Sequence, residues 1–250
     1  MPRQEYVQRL NELQDEILLV GSMVDKAVQR AVEALRTRDA ATAQAVIDAD
    51  DEIDARQIQL EEHAIDIMAT QQPMASDLRQ LVTALHVADE LERMGDYAEG
   101  IAKITLLMGE QAPIKPLIDI PRMADIAREM MRASLDALVA RDIEAASAVW
   151  QRDDEVDELY EQVYRELVTH MIADPTKIER ATFLIWVAHN IERIADRATN
   201  IAERVIFVST GQIPTREEWW DKRLTERGNG NGNGNGAGDG ADGRFPPVGV

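Results

Sequence analysis

Two segments of this sequence, one hundred positions apart, carry the same pair of acidic residues. ADELERMGDYAEGIA places Glu92 four residues before Asp96, and AHNIERIADRATNIA places Glu192 four residues before Asp196. Residues four apart lie on the same face of an α-helix. Each pair therefore presents two carboxylates side by side, which is an arrangement that can bind a hard metal ion.

Two further acidic pairs precede these segments by one helix. They are Asp50 with Asp54, and Asp153 with Asp157. Asp50 stands where the period of helix burial calls for a core residue. The first pair flanks an apolar stripe made of Val46, Ile53, Leu60 and Ile67.

The two pairs of each half are expected to meet in space. If their helices form an antiparallel hairpin that turns near Pro73, the two pairs of the first half lie about 20 residues on either side of the turn, some 30 Å from it at about 1.5 Å rise per residue. The same holds around Pro175 in the second half. Each half therefore predicts a patch of four carboxylates.

Such a patch needs a positive charge. Like charges at i, i+4 cost a few tenths of a kcal/mol, and more where solvent is excluded. Arg93 and Arg193 follow the glutamates, but an i+1 neighbour points about 100° around the helix, so we expect neither arginine to neutralise its patch. The patches therefore predict metal binding by Asp50, Asp54, Glu92 and Asp96 in the first half and by Asp153, Asp157, Glu192 and Asp196 in the second.

The donor chemistry favours hard cations. Oxygen ligands without any cysteine suit Mg²⁺, Mn²⁺ or iron, and several carboxylates per patch allow more than one ion. Four further residues on or beside the same faces are candidate extra ligands: Asp89, Glu99, His189 and Asn200.

The elements that must position these residues are helices. Proline is sparse, runs rich in Ala, Leu, Glu, Arg and Gln dominate, and no alternating strand pattern occurs. Six long helices are predicted, at about 4–37, 41–70, 76–108, 121–140, 143–172 and 176–210. RDAATAQAVIDADDEID recurs 103 positions later as RDIEAASAVWQRDDEVD. The sequence thus predicts an all-α protein, a tandem repeat of two antiparallel, spectrin-like three-helix bundles.

Composition shifts place the boundaries of these units. The first repeat covers residues 1–111, a proline-containing linker covers 112–121, and the second repeat covers 122–213. The tail at 214–250 contains a Gly/Asn-rich stretch and is predicted to be disordered from about 228.

Composition also excludes several functions. The net charge of −19, from 46 acidic and 27 basic residues, opposes nucleic-acid binding. The absence of cysteine excludes disulfides and thiolate centres. No signal peptide and no membrane-spanning run is recognised, so we expect a cytoplasmic protein without membrane insertion.

The paired DxxxD and ERxGDxA or ERxADxAxNIAE segments, over two three-helix repeats, resemble the PhoU family of phosphate-transport regulators. The resemblance covers residues 3–213. It implies a PhoU-like fold and a homodimer that assists the ATPase of a Pst-type phosphate ABC transporter and helps repress starvation signalling through a PhoR-type sensor histidine kinase. It also implies clusters of divalent or trivalent ions, Mg, Mn, Fe or Zn, with more than one ion per repeat. Gly100 departs from the Asn that the family often carries there and that the second repeat has as Asn200.

Two other functions remain open from the residues. A carboxylate-bridged dimetal oxidase or phosphohydrolase could use clustered carboxylates, but the Glu-x-x-His pairs of ferritin-like sites are absent from the sequence. A metal-free helical adaptor with solvated acidic faces is the third reading. We expect no enzyme, because no nucleophile–base pair or phosphate-binding loop is found.

Overall fold

The fold is known from a computed structural model, which describes residues 2–109, 111 and 113–212. Six long α-helices, labelled α1 to α6 in chain order, make up almost all of this part. They are α1 Pro2–Thr37, α2 Ala40–Gln71, α3 Ser76–Met108, α4 Asp119–Ala140, α5 Ile143–Ala173 and α6 Ile178–Thr210. A 3₁₀ turn, Pro175–Lys177, precedes α6. The predicted disordered tail lies outside the described residues.

The same turn begins the second helix of each repeat. Arg38 and Arg141 both adopt left-handed backbone angles, with φ of 57° and 54°. The residue that follows, Asp39 or Asp142, caps the next helix by accepting hydrogen bonds from its first free N–H groups. Because the recurring Arg-Asp dipeptide forms the same turn twice, it sets α2 and α5 at the same point of their repeats.

The second turn of each repeat differs. Residues 72–75 separate α2 from α3, whereas only Asp174 separates α5 from the 3₁₀ turn. Asp174 caps that turn through a hydrogen bond from the N–H of Thr176. Four residues separate the α-helices in both repeats, so the change in sequence offset from 103 to 100 arises in the helices: α5 has 31 residues against 32 in α2, and α6 begins at Ile178, two residues nearer to its Glu–Asp pair than α3 does.

The helices pack as two three-helix bundles that are joined side by side. Helices α1, α2 and α3 pack on one another, as do α4, α5 and α6, and the bundles meet through α3 with α6 and α1 with α4. The described residues contain no strand. The predicted all-α class is confirmed, and the stripe on α2 is buried along its length: Val46, Ile53, Leu60 and Ile67.

The contact between α3 and α6 runs antiparallel. Glu90 of α3 accepts hydrogen bonds from Asn200 at 3.2 Å and from Arg197 at 3.3 Å. Ten residues further along α3, Gly100 faces Asn190, whose Nδ2 atom would lie 3.1 Å from an added Cβ. Residues 90 and 100 thus face 200 and 190, so the helix that carries each Glu–Asp pair packs against its counterpart.

The linker ends earlier than the sequence analysis predicted. Helix α4 begins at Asp119, two residues before Pro121. Lys115 lies 3.1 Å from the carboxylate of Asp119 and also contacts Glu166 of α5. The acidic residue in the first turn of α4 is favoured by the helix dipole, which is a local reason for the earlier start.

A largely buried ion pair connects α1 with α4. Arg128 donates two hydrogen bonds to Asp25, from Nε at 3.0 Å and from Nη2 at 2.9 Å. Only 9% of Arg128 is exposed. Arg132 approaches the same carboxylate at 3.4 Å. This bidentate pair links the two repeats where α1 and α4 are in contact.

Within the described range, none of the helices has a stretch long and apolar enough to cross a membrane.

Replacing Arg128 by Ala should destabilise the protein by about 3 kcal/mol, because it leaves the carboxylate of Asp25 without its bidentate partner. Urea unfolding followed by circular dichroism measures the change. The matched control is Arg165→Ala, which removes an exposed pair with Glu161 and should cost less than about 1 kcal/mol. Equal effects of the two changes would contradict a structural role for the α1–α4 pair.

Candidate metal sites

Three carboxylates converge in the groove between α2 and α3. One oxygen from each of Asp50, Asp96 and Glu99 lies within 4.8 Å of the other two. Asp50 comes from α2, while the other two come from successive turns of α3. The structure therefore brings the two helices' acidic residues to one level, as the hairpin geometry predicted.

Asp50 is the buried member of this group. Only 8% of the residue is exposed, and within the described part of the chain no group donates a hydrogen bond to it. Gly95 makes room for it, because a Cβ at that position would lie 3.1 Å from Asp50 Oδ1 and 3.3 Å from Ile53. A Cβ there would require Asp50 or Ile53 to shift by a few tenths of an ångström, and the second repeat carries Ala195 at the equivalent position.

Burial and crowding change the acidity of the group. Burial, followed by the charges of Glu99, Asp54, Asp96 and Glu92, raises the pKa of Asp50 to about 7. Burial together with neighbouring carboxylates also raises the pKa of Glu92 and that of Asp96. All four predicted ligands of the first repeat are thus close enough to repel one another.

Among the described residues this repulsion is only partly offset, because Arg93 and Lys103 oppose the raised pKa of Asp96 without an ion-pair contact. Asp54 Oδ1 is buried and accepts no hydrogen bond from any described residue. Lys103 pairs with Glu99, but no basic group of the described residues lies within ion-pair distance of the four predicted ligands. A carboxylate cluster of this kind, with oxygen donors only, fits a hard cation.

The second repeat also gathers its predicted residues between α5 and α6, although among the described residues only the first repeat has three carboxylates within 4.8 Å of one another. Asp153 is 4% exposed, and Glu192 is half-buried. Burial raises the pKa of Glu192 to about 7, with Asp196, Asp157 and Asp153 adding to the rise and Arg193 opposing it. The four predicted residues therefore share one neighbourhood here as well.

One prediction about this patch is wrong. Arg193 does reach the carboxylates of its own helix: Nη1 lies 3.0 Å from Asp196 Oδ2, and Nε lies 3.5 Å from Glu192 Oε2. The direction of the Cα–Cβ bond fixes only where a side chain starts. The long arginine side chain extends along α6 to Asp196, three residues towards the C-terminus.

His189 lies at the edge of the same patch. Its Nδ1 atom is 3.4 Å from Glu192 Oε2, and its ring centre is 6.2 Å from that of Tyr160. Burial and then the charge of Arg193 lower the pKa of His189, which favours the neutral imidazole that can donate a lone pair to a metal ion.

The other candidate extra ligands divide into two groups. Glu99 belongs to the convergent group, and Asp89 lies close to Glu92 while it accepts a hydrogen bond from Gln57 at 3.2 Å. Asn200 instead donates to Glu90 across the α3–α6 contact. Its amide serves the junction between the repeats rather than the acidic patch.

The place of Glu99 in this group could be predicted from its spacing in the sequence. It lies one heptad after Glu92 and three residues after Asp96, so all three share a helix face. The role of Arg193 had no such signal, because a side-chain conformation decides it.

A family model described as the PhoU domain matches this chain twice, over residues 17–105 and 120–205. A phosphate-specific transport system accessory protein PhoU homolog of Caulobacter vibrioides is 40% identical over 213 residues, which cover 85% of this chain and 93% of the relative. A homolog of the same name from Aquifex aeolicus is 39% identical over 204 residues, covering 82% and 92%.

Solved structures agree with these sequence matches. The crystal structure of PhoU from Pseudomonas aeruginosa superposes with a TM-score of 0.79 at 34% identity, covering 83% of this chain and all of that one (100%). The phosphate transport system regulatory protein PhoU from Streptococcus pneumoniae gives a TM-score of 0.78 at 27% identity, covering 84% and 99%. With both repeats matched by sequence and by fold, the chain belongs to the PhoU family.

Proposed function

We propose that this chain is a cytoplasmic accessory protein of a phosphate transporter, and that its two carboxylate grooves hold metal ions. The observation that carries the metal proposal is the convergence of Asp50, Asp96 and Glu99 within 4.8 Å, with Asp50 buried and without a hydrogen-bond donor in the described residues. The names of the relatives support the transport role. The action proposed is regulatory, without turnover of a substrate.

The residues that would hold the ions are the eight predicted ligands. Asp50, Asp54, Glu92 and Asp96 serve the first groove, with Glu99 as a fifth donor. Asp153, Asp157, Glu192 and Asp196 serve the second, with His189 beside them. Oxygen donors suit Mg²⁺, Mn²⁺ or iron, and the histidine also admits Zn²⁺. A bound ion supplies the positive charge that lets the two helices of a hairpin stay close.

The proposed partners are the ATPase subunit of a Pst-type transporter and a sensor histidine kinase of the PhoR type. The net charge of −19 favours partner surfaces that are basic. The names of the relatives refer to phosphate transport; in this proposal, docking on the two partners would transmit the phosphate state to uptake and to signalling. The protein would act as a homodimer.

A dimetal enzyme is the alternative from another class. The first groove has the clustered carboxylates that such a site needs. However, the described residues place no His beside the first group, and the second group has one basic side chain, Arg193, among its ligands. Metal-dependent oxygen consumption or phosphate-ester hydrolysis that Glu92→Gln abolishes would support the enzyme instead.

Removing metal should lower the melting temperature. An ion at one hundred times its dissociation constant stabilises by about 2.7 kcal/mol, which for a chain of this size corresponds to roughly 5 to 10 °C. Differential scanning calorimetry before and after chelation, with bound metal counted by mass spectrometry, measures it. If the protein is purified without metal and its melting temperature changes with neither chelator nor added Mn²⁺, the metal sites are contradicted. The metal-free helical adaptor would then be the supported function.

The effect of amide substitution on the melting temperature should have opposite signs in the metal-free and the metal-loaded protein. Asp50→Asn with Asp96→Asn removes repulsion, so the metal-free double variant should melt higher than the metal-free wild type, whereas the metal-loaded variant should melt lower than the loaded wild type. The control is Asp51→Asn with Glu62→Gln, which removes two exposed charges from the same hairpin. A variant that is stabilised equally under both conditions would favour the metal-free adaptor.

The metal-free protein should lose stability as pH rises from about 4 to about 7. The pKa values of Asp50 and Glu192 are raised to about 7 in the fold, against ordinary values near 4 when unfolded. In this window the unfolded chain has released these protons and the folded chain still binds them, so raising pH favours unfolding.

We expect the metal-free wild type to melt lower at pH 8 than at pH 5.5. Asp50→Asn with Glu192→Gln should flatten this dependence, and Asp51→Asn with Glu62→Gln should not. Calorimetry at the two pH values provides the comparison. Equal pH dependence of the two double variants would contradict the proposed origin.

A further inference from the structure

The two grooves carry the same four ligand types but differ in the residues beside them. Position 99 in the first repeat is Glu and its counterpart is Thr199; position 103 is Lys and its counterpart is Glu203. Thr199 donates its hydroxyl to the backbone oxygen of Asp196, so it adds no charge. Position 99 therefore loses a carboxylate in the second groove while position 103 gains one, so these two exchanges leave the number of carboxylates equal.

The arginines that follow the glutamates also behave differently. Arg93 is exposed, and no acidic group of the described residues lies within ion-pair distance of it. Arg193 places its guanidinium 3.0 Å from Asp196 and 3.5 Å from Glu192. The same residue type at the same helical position thus acts on Glu92 and Asp96 only from beyond ion-pair distance in one repeat, and it contacts two ligands in the other.

The position of Arg193 has a direct consequence for a cation. Its side chain is 40% exposed, while those of Asp196 and Glu192 are 32% and 20% exposed, so the contacts lie in a partly desolvated groove where charges interact more strongly than in water. A metal ion that takes oxygens of Asp196 and Glu192 has to displace the guanidinium and suffers its repulsion until it moves away. No cation of the described residues holds Asp50, Asp54, Glu92 or Asp96 in this way.

We propose that Arg193 is a built-in competitor for metal, so that the second groove is the weaker and exchangeable metal site while the first groove binds its ion tightly. This inference rests on the proposed metal function and adds to it a division of labour between the repeats. The first ion holds the α2–α3 hairpin together. The second groove changes between an arginine-filled and a metal-filled state as the concentration of free metal changes.

The test is a titration of the metal-free, full-length chain with Mn²⁺. Isothermal titration calorimetry measures the heat of binding, and electron paramagnetic resonance measures the concentration of the free ion. We expect two classes of binding that differ at least tenfold in affinity. Glu92→Gln should weaken the tight class, and Glu192→Gln should weaken the weak class, which assigns each class to its groove.

Arg193→Gln should then strengthen the weak class about tenfold and leave the tight class unchanged. Arg93→Gln is the matched control, because it removes the same charge without removing a contact, and it should change the tight class much less than Arg193→Gln changes the weak class. Arg193→Lys, which keeps the charge on a side chain that cannot bridge two carboxylates in a planar fork, should fall between the wild type and the Gln variant. Circular dichroism at 222 nm confirms that each variant is folded.

Two results overturn the competition: equal affinities in the two grooves, or a weak class that Arg193→Gln leaves unchanged. Assignment of the weak class to the first groove by Glu92→Gln overturns it too. These results leave the metal function standing. Absence of Mn²⁺ binding to the wild type and to every variant overturns the metal function together with this inference, so the two failures are distinguishable.

Discussion

Repulsion between carboxylates buried in a helical groove is the constraint on which this molecule depends. Asp50 is almost wholly buried, yet its nearest polar neighbours are Asp96 and Glu99. Burial and these charges together raise its pKa to about 7. A protein that only needed a stable hairpin could place an apolar residue there, since a buried charge without a partner is costly. The buried carboxylate thus lowers the stability of the hairpin, which is a common property of functional sites.

The rest of the fold accommodates this constraint twice. Gly95 leaves space for Asp50, and the turns at Arg38 and Arg141 begin α2 and α5 at equivalent points. Because α3 and α6 then pack antiparallel, the two helices that carry the Glu–Asp pairs support each other. The α3–α6 contact therefore joins the two helices that carry these pairs.

The repeats are similar in fold and unequal in charge. Glu99 adds a carboxylate to the first groove and pairs with Lys103, whereas Arg193 partly neutralises two ligands of the second. In the proposed function, such inequality would let one tightly held ion stabilise the structure while an exchangeable ion reports on its surroundings. The asymmetry arises from single residues placed on a duplicated scaffold.

Sequence alone determined the helices, their order and the residues that face each other across the hairpins. Helix periodicity and the distance of each acidic pair from its turn fix which faces meet, so the group around Asp50 was predictable to within one turn. The two Arg-Asp dipeptides, 103 positions apart, form both capping turns, which the sequence analysis did not predict. The start of α4 at Asp119 was missed by two residues, because the prediction took the proline as the first helical residue.

Tertiary structure decided what the long and polar side chains do. Arg193 forms an ion pair with Asp196, and Asn200 donates a hydrogen bond to Glu90 across the α3–α6 contact. Neither follows from position on a helical wheel, because a side chain with several rotatable bonds can reach more than one neighbour, and the choice depends on charges that another helix brings. Backbone periodicity therefore specified where the carboxylates gather, while packing between helices specified which cations and amides reach them.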